Sequence, residues 1–197
     1  EEYRQAALNT ADVEIQAQAL LGIGKSYYQE NNLTEAIETF RTIIEEHPPT
    51  TVLPEAYFWL GRVYDAQGDY TNAAEAYARF LERKPGIIDE LAQTLRGDAL
   101  MKAGQYSEAI QAFQAAIRAT TGDTTALQIK IGEAYAAAND FSNALTQFLS
   151  IYEATTNDYI KAQMNLRIGQ IYLQLGHPEQ AYARFLDSVN NFPRSYD

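Results

Sequence analysis

Few residues in this chain could do chemistry, and their spacing argues against it. Gly22-Ile23-Gly24-Lys25-Ser26 carries the Gly-Lys-Ser ending of a phosphate-cradling loop. That loop needs a glycine five residues ahead of the Gly-Lys pair and a strand before it. Ala19 stands in the glycine's place, and the segment continues a helical pattern of apolar residues. His47 and His177 are isolated, without a second ligand at a spacing such as H-E-x-x-H. There is no cysteine, which excludes disulfides, thiol nucleophiles and thiolate zinc sites. No Gly-x-Ser-x-Gly elbow is present. Asn32-Leu33-Thr34 has the spacing of a glycosylation acceptor, but it coincides with a helix start, where Asn32 serves as a cap. The sequence calls for no cofactor and no metal, and it reads as non-catalytic.

The elements that would position any site are repetitive. Leu20-Leu21-Gly22-Ile23-Gly24 … Tyr27 is followed by Ala36, Phe40 and Pro48. Leu60-Gly61-Arg62-Val63-Tyr64 is followed by Ala73, Tyr77 and Pro85, and Ile131-Gly132-Glu133-Ala134-Tyr135 by Ala144 and Phe148. Ile168-Gly169-Gln170-Ile171-Tyr172 leads to Ala181, Phe185 and Pro193, and a weaker copy, Arg96-Gly97-Asp98-Ala99-Leu100, to Ala109 and Phe113. Gly24, Gly61, Gly97, Gly132 and Gly169 follow one another at intervals of 37, 36, 35 and 37 residues. Each unit reads as two helices, A and B, with apolar residues at i, i+3, i+4 and i+7. Glycine costs a helix interior about 1 kcal/mol relative to alanine, so regularly placed glycines imply close helix crossing, with Ala36, Ala73, Ala109, Ala144 and Ala181 as small partners on helix B. The turns Asn31-Asn32, Gly68-Asp69, Gly104-Gln105, Asn139-Asp140 and Gly176-His177-Pro178 supply left-handed residues that end helix A, then N-caps for helix B. Asn32 and Glu35 have capping-box spacing. Pro48-Pro49, Pro54, Pro85-Gly86 and the 120–124 stretch separate successive repeats.

This pattern resembles the tetratricopeptide repeat, L-G-x-x-Y, then A-x-x-x-F, then Pro, over about 34 residues. The resemblance implies an all-α, right-handed superhelical solenoid of antiparallel helix pairs. The repeats are expected at 17–50, 54–87, 90–123, 125–158 and 162–195. Residues 1–16 then hold the tail of a truncated preceding repeat, in which Tyr3 and Ala6 match Phe40 and Ile43, and the start of the first helix. The whole is expected to form one continuous domain. It further implies a concave groove for protein or peptide, an extended segment or an amphipathic helix. In this family the second, fifth, ninth, twelfth and thirteenth places of helix A line that groove. Those places nominate Leu21, Lys25, Tyr28, Phe58, Arg62, Leu91, Met101, Ile129, Leu166, Gln170 and Leu173. Chaperone-binding members use a Lys, Asn and Arg carboxylate clamp. Here the relevant places hold Leu21, Lys25, Trp59, Leu91 and Leu95, which disfavours that mode.

Composition narrows the partner. With 26 acidic against 15 basic residues the net charge is -11, which disfavours nucleic acid and anionic membrane surfaces, both of which need clustered Lys and Arg. No run approaches the roughly 18 apolar residues of a membrane span, and no signal-peptide pattern stands out. The 14 tyrosines and 8 phenylalanines fall mostly on core places, so they do not mark a base-stacking site. The style of Tyr57-Phe58-Trp59-Leu60-Gly61 … Gly68-Asp69-Tyr70 resembles repeats of bacterial cell-envelope proteins. That favours an extracytoplasmic setting over a cytoplasmic one. It also supplies an alternative function, a helical scaffold arm of a larger protein such as a lytic transglycosylase-like enzyme or an assembly lipoprotein. A helix B with no polar cap after it, around Tyr182, Phe185, Leu186 and Val189, raises self-association through the uncapped ends.

Overall fold

The structure is a computed structural model that describes residues 11–47, 49–84, 86 and 88–192. Tyr3, Ala6 and the breakers Pro48, Pro85 and Pro193 lie outside the described residues. Among the described residues there are ten helices and no strand: α1 (Val13–Gln29), α2 (Leu33–Glu46), α3 (Leu53–Gln67), α4 (Tyr70–Arg83), α5 (Asp89–Lys102), α6 (Tyr106–Ala119), α7 (Thr125–Ala137), α8 (Phe141–Ala154), α9 (Asp158–Gln174) and α10 (Pro178–Asn191). Odd-numbered helices are the A type and even-numbered ones the B type. The helices group into two compact units, Glu1–Gln105 and Tyr106–Asp197. The boundary falls between the two helices of the third repeat. Within each unit every helix packs against the next, and the short turns fold neighbours antiparallel.

Turn chemistry sets these reversals. Asn31 (φ 61°), Asn139 (φ 60°), Gly68 (φ 85°) and Gly176 (φ 76°) are left-handed, as expected of residues that end helix A. Asp69 and Asp140 cap the following helices, accepting from the backbone N–H of Asn72 at 3.3 Å and of Asn143 at 3.2 Å. Pro178 occupies the first turn of α10. The expected capping box at Asn32 does not form. The Asn32 side chain makes no cap hydrogen bond; its amide turns back and donates to Glu30 at 3.3 Å.

The core follows the repeat. Phe40, Tyr77, Phe113 and Phe148 are at most 1 % exposed, as are Ala36, Ala73, Ala109 and Ala144. Gly24, Gly61, Gly132 and Gly169 of the A helices each lie against an aromatic ring of helix B. A Cβ on Gly24 would stand 2.6 Å from Phe40 Cε1, and one on Gly61 2.8 Å from Tyr77 Cε1. The ring therefore fills the glycine notch, and the alanine one turn earlier on helix B is not what the notch accommodates. In the second unit the buried set Phe148, Ile151, Met164, Ile168 and Ile171 is flanked by half-buried Leu145, Leu149 and Tyr152 of α8. On α10, Tyr182 (66 %), Leu186 and Val189 stay exposed.

Candidate functional site

In the first unit the nominated side chains of α1 and α3 converge with a residue the sequence did not nominate, Trp59. Lys25 Nζ lies 2.6 Å from Glu55 Oε1 and 5.3 Å from the Trp59 ring centroid. Tyr28 meets Trp59 edge-on, with centroids 5.8 Å apart, and its hydroxyl accepts from Arg62 at 3.4 Å. Phe58 turns the other way, into rings of α4, at 5.9 Å from Tyr77 and 5.4 Å from Phe80. Between them opens a cleft of about 620 Å³ lined by Phe58, Trp59, Phe80 and Ile88, with Glu55 and Lys84 among its polar side chains. Beyond it, Asp65 accepts from Lys102 at 2.7 Å, and this hydrogen bond raises the Lys102 pKa.

The Tyr77 hydroxyl is buried and makes no hydrogen bond among the described residues. Burial, followed by the nearby Asp65 carboxylate, pushes its pKa far up. The other four repeats place phenylalanine at this point, so repeat two carries an added polar group in its core.

The second unit builds its site from α7, α8 and α9. Arg167 donates to Glu133 Oε1 through both Nε and a terminal nitrogen, at 3.1 and 2.6 Å. A cleft of about 610 Å³ opens beside this pair, floored by half-buried Ala136 and Phe141 over buried Phe148 and Ile171, and edged by Leu166, Gln170, Gln174 and Asn139. Close by, Asp187 accepts from Asn165 at 2.6 Å, Tyr152 at 3.0 Å and Asn191 at 2.5 Å. Burial acts to raise the Asp187 pKa, but these three hydrogen bonds and the Arg184 charge outweigh it and hold the carboxyl below its ordinary value.

The nominated residues thus divide. Leu91, Leu166 and Leu173 are exposed at 49, 36 and 52 %, and Gln170 is exposed as well. Lys25, Tyr28, Arg62, Met101 and Ile129 are half-buried; Lys25 and Tyr28 meet on Trp59, and Arg62 joins them through the Tyr28 hydroxyl. Leu21 is only 6 % exposed and presents almost nothing to a ligand. Phe58 is committed on one side to the core. Trp59 and Arg167 were not nominated. Arg167 had a signal, since Glu133 and Arg167 are opposite charges one period apart on successive A helices. Among the described residues no group of three or more His, Cys, Asp and Glu is placed to hold a metal, and no helix is long and apolar enough to cross a membrane.

The helix pairs, the glycine–ring notches and the repeat register define a class of protein. Family signatures described as tetratricopeptide repeat match residues 1–51, 21–86 and 94–159, and a further one matches 162–189. The chain belongs to the tetratricopeptide repeat family. Solved structures agree on the fold. The chain is similar to MamA (19% identity, 88% of this chain and 96% of that one, TM-score 0.67) and to MamA from Desulfovibrio magneticus RS-1 (18%, 92% and 97%, TM-score 0.66). It is also similar to YrrB, described as a TPR protein with an unusual peptide-binding site (21%, 98% and 93%, TM-score 0.69). No curated protein matches the sequence significantly.

Proposed function

We propose that the chain is a non-catalytic protein-interaction module and that the A-helix faces of its units hold peptide segments of a partner. The observation that carries this reading is apolar surface left open beside shaped clefts. Leu91 in the first unit and Leu166 and Leu173 in the second remain exposed on A helices that bury Leu100 and Ile168 respectively. Covering such side chains gains about 25 cal/mol per Å² of apolar surface removed from water. The neighbouring charges are already matched, Lys25 with Glu55 and Glu133 with Arg167, so a docking chain need not neutralise them. Side chains fixed by such pairs lose little freedom on binding. The peptide-binding site named for YrrB gives a precedent on the same fold.

The test selects short peptides from a random phage-displayed library on the whole chain. Affinities are then measured on Leu91→Asp and on the double variant Leu166→Asp with Leu173→Asp. These positions are exposed, so circular dichroism should show an intact fold, whereas changes at Leu21 or Phe58 would disturb the core. Selected peptides should lose roughly tenfold or more in affinity on one of the two variants, the effect of burying an unpaired charge in an apolar contact. Peptides that bind wild type and both variants equally would sink the reading, and so would a selection that yields none.

A further inference from the structure

We propose that the second unit reads the main chain of an extended, uncharged peptide segment through two glutamine amides, Gln170 and Gln174, over an apolar floor. This deepens the reading above and rests on it. Gln170 and Gln174 are exposed on one face of α9 and line the cleft of about 610 Å³. Neither side chain has a hydrogen-bond partner among the described residues. Each amide offers one acceptor oxygen and an NH₂ donor, the complement of what a peptide main chain presents at every residue. Spacing selects the ligand's conformation. Four residues of helix rise about 6.0 Å, and two residues of extended chain advance about 6.6 to 6.8 Å. An i, i+4 amide pair therefore meets residues j and j+2 of a strand, whose N–H and C=O groups project to the same edge. A helical ligand fits worse, because its main-chain groups are consumed in its own hydrogen bonds.

Charge selects the composition. The ionised groups lining the cleft, Glu133 and Arg167, are paired with each other at 2.6 Å. A charged ligand side chain would give up its hydration and find no unmatched opposite charge, whereas an uncharged one gives up little. Below the amides half-buried Ala136 and Phe141 form an apolar floor with exposed Leu166 at its edge. That floor accepts one aliphatic or aromatic side chain of the segment.

The experiment uses the whole chain and a synthetic peptide from the phage selection, followed by fluorescence polarisation. The double variant Gln170→Ala with Gln174→Ala should keep its helical circular dichroism and weaken binding roughly tenfold, the worth of two hydrogen bonds. N-methylation of alternate peptide residues should weaken binding to wild type in one of the two registers, and the double variant should be indifferent to it. A peptide lost by Leu166→Asp with Leu173→Asp but insensitive to both the amide variant and N-methylation would overturn the main-chain reading and leave peptide binding standing. A selection that yields no peptide would overturn both.

Discussion

At Gly132 a Cβ would stand 2.4 Å from Cε1 of Phe148, and at Gly169 it would stand at the same distance from Phe185. The two sites differ in what the ring can do next. Phe148 is 1 % exposed and walled in, whereas Phe185 is half-buried and has room to turn. Alanine gains about 1 kcal/mol over glycine in a helix interior, while overpacking a core costs about 1–3 kcal/mol. Gly132→Ala should therefore lower the midpoint of urea unfolding, and Gly169→Ala should lower it less or leave it unchanged. Equal losses would mean that Phe185 is held as tightly as Phe148. The glycine period was legible in the sequence; which residue filled each notch was not, because Ala and Phe lie one turn apart on the same stripe. The Asp187 cluster was invisible too, since Tyr152, Asn165 and Asp187 sit on three helices with no shared spacing. Its carboxyl titrates below the ordinary aspartate value of about 3.9, so its contribution is full above that pH and is lost as pH falls through the lower folded value. Asp187→Asn should lower the melting temperature at pH 7 and reduce the further drop between about pH 5 and pH 3. Glu14 and Asp123 are also held low by hydrogen bonds, Glu14 by Thr51 and Asp123 by Thr125, so the slope should shrink without vanishing.

Among elements, the turns test how far local rules carry. Asp140 accepts a backbone N–H at the start of α8, and its other carboxylate oxygen accepts from the Asn143 amide at 2.7 Å. Asn32 stands at the same place before α2 and makes no such bond. Asp140→Ala should cost about 1 kcal/mol by thermal or urea unfolding, and Asn32→Ala a few tenths at most. A comparable loss at both would show that Asn32 caps in solution. Both residues read alike in sequence, as turn residues ahead of an apolar run. They differ because the Asn32 amide found Glu30, an acidic neighbour that the Ala138-Asn139-Asp140 turn lacks. Helix type, order and turn conformation were thus legible residue by residue, since each depends on neighbours within about one turn. Packing on B helices was less so. Leu145, Leu149 and Tyr152 of α8 are half-buried against the second unit's core, while Tyr182, Leu186 and Val189 at the equivalent places of α10 are exposed. The same apolar pattern met two different surroundings.

For the molecule as a whole, the net charge of -11 sets a long-range field that the local sites do not share. The charges lining the second unit's cleft, Glu133 and Arg167, are matched with each other, so a neutral segment docked there feels mainly contact forces and hydrogen bonds. A basic peptide would feel the summed acidic surface, an attraction that salt screens over a Debye length of about 10 Å at 0.1 M and about 3 Å at 1 M. These two kinds of partner separate in one titration. If the second unit reads an uncharged extended segment, the affinity of the selected peptide should change by no more than about twofold between roughly 50 and 500 mM salt, because neither its approach nor its seat relies on unmatched charge. A Lys-rich control of equal length should lose most of its weaker binding over the same range, mainly through its association rate. A steep salt dependence of the selected peptide would move the driving force from the amides and the cleft's apolar floor to the acidic exterior.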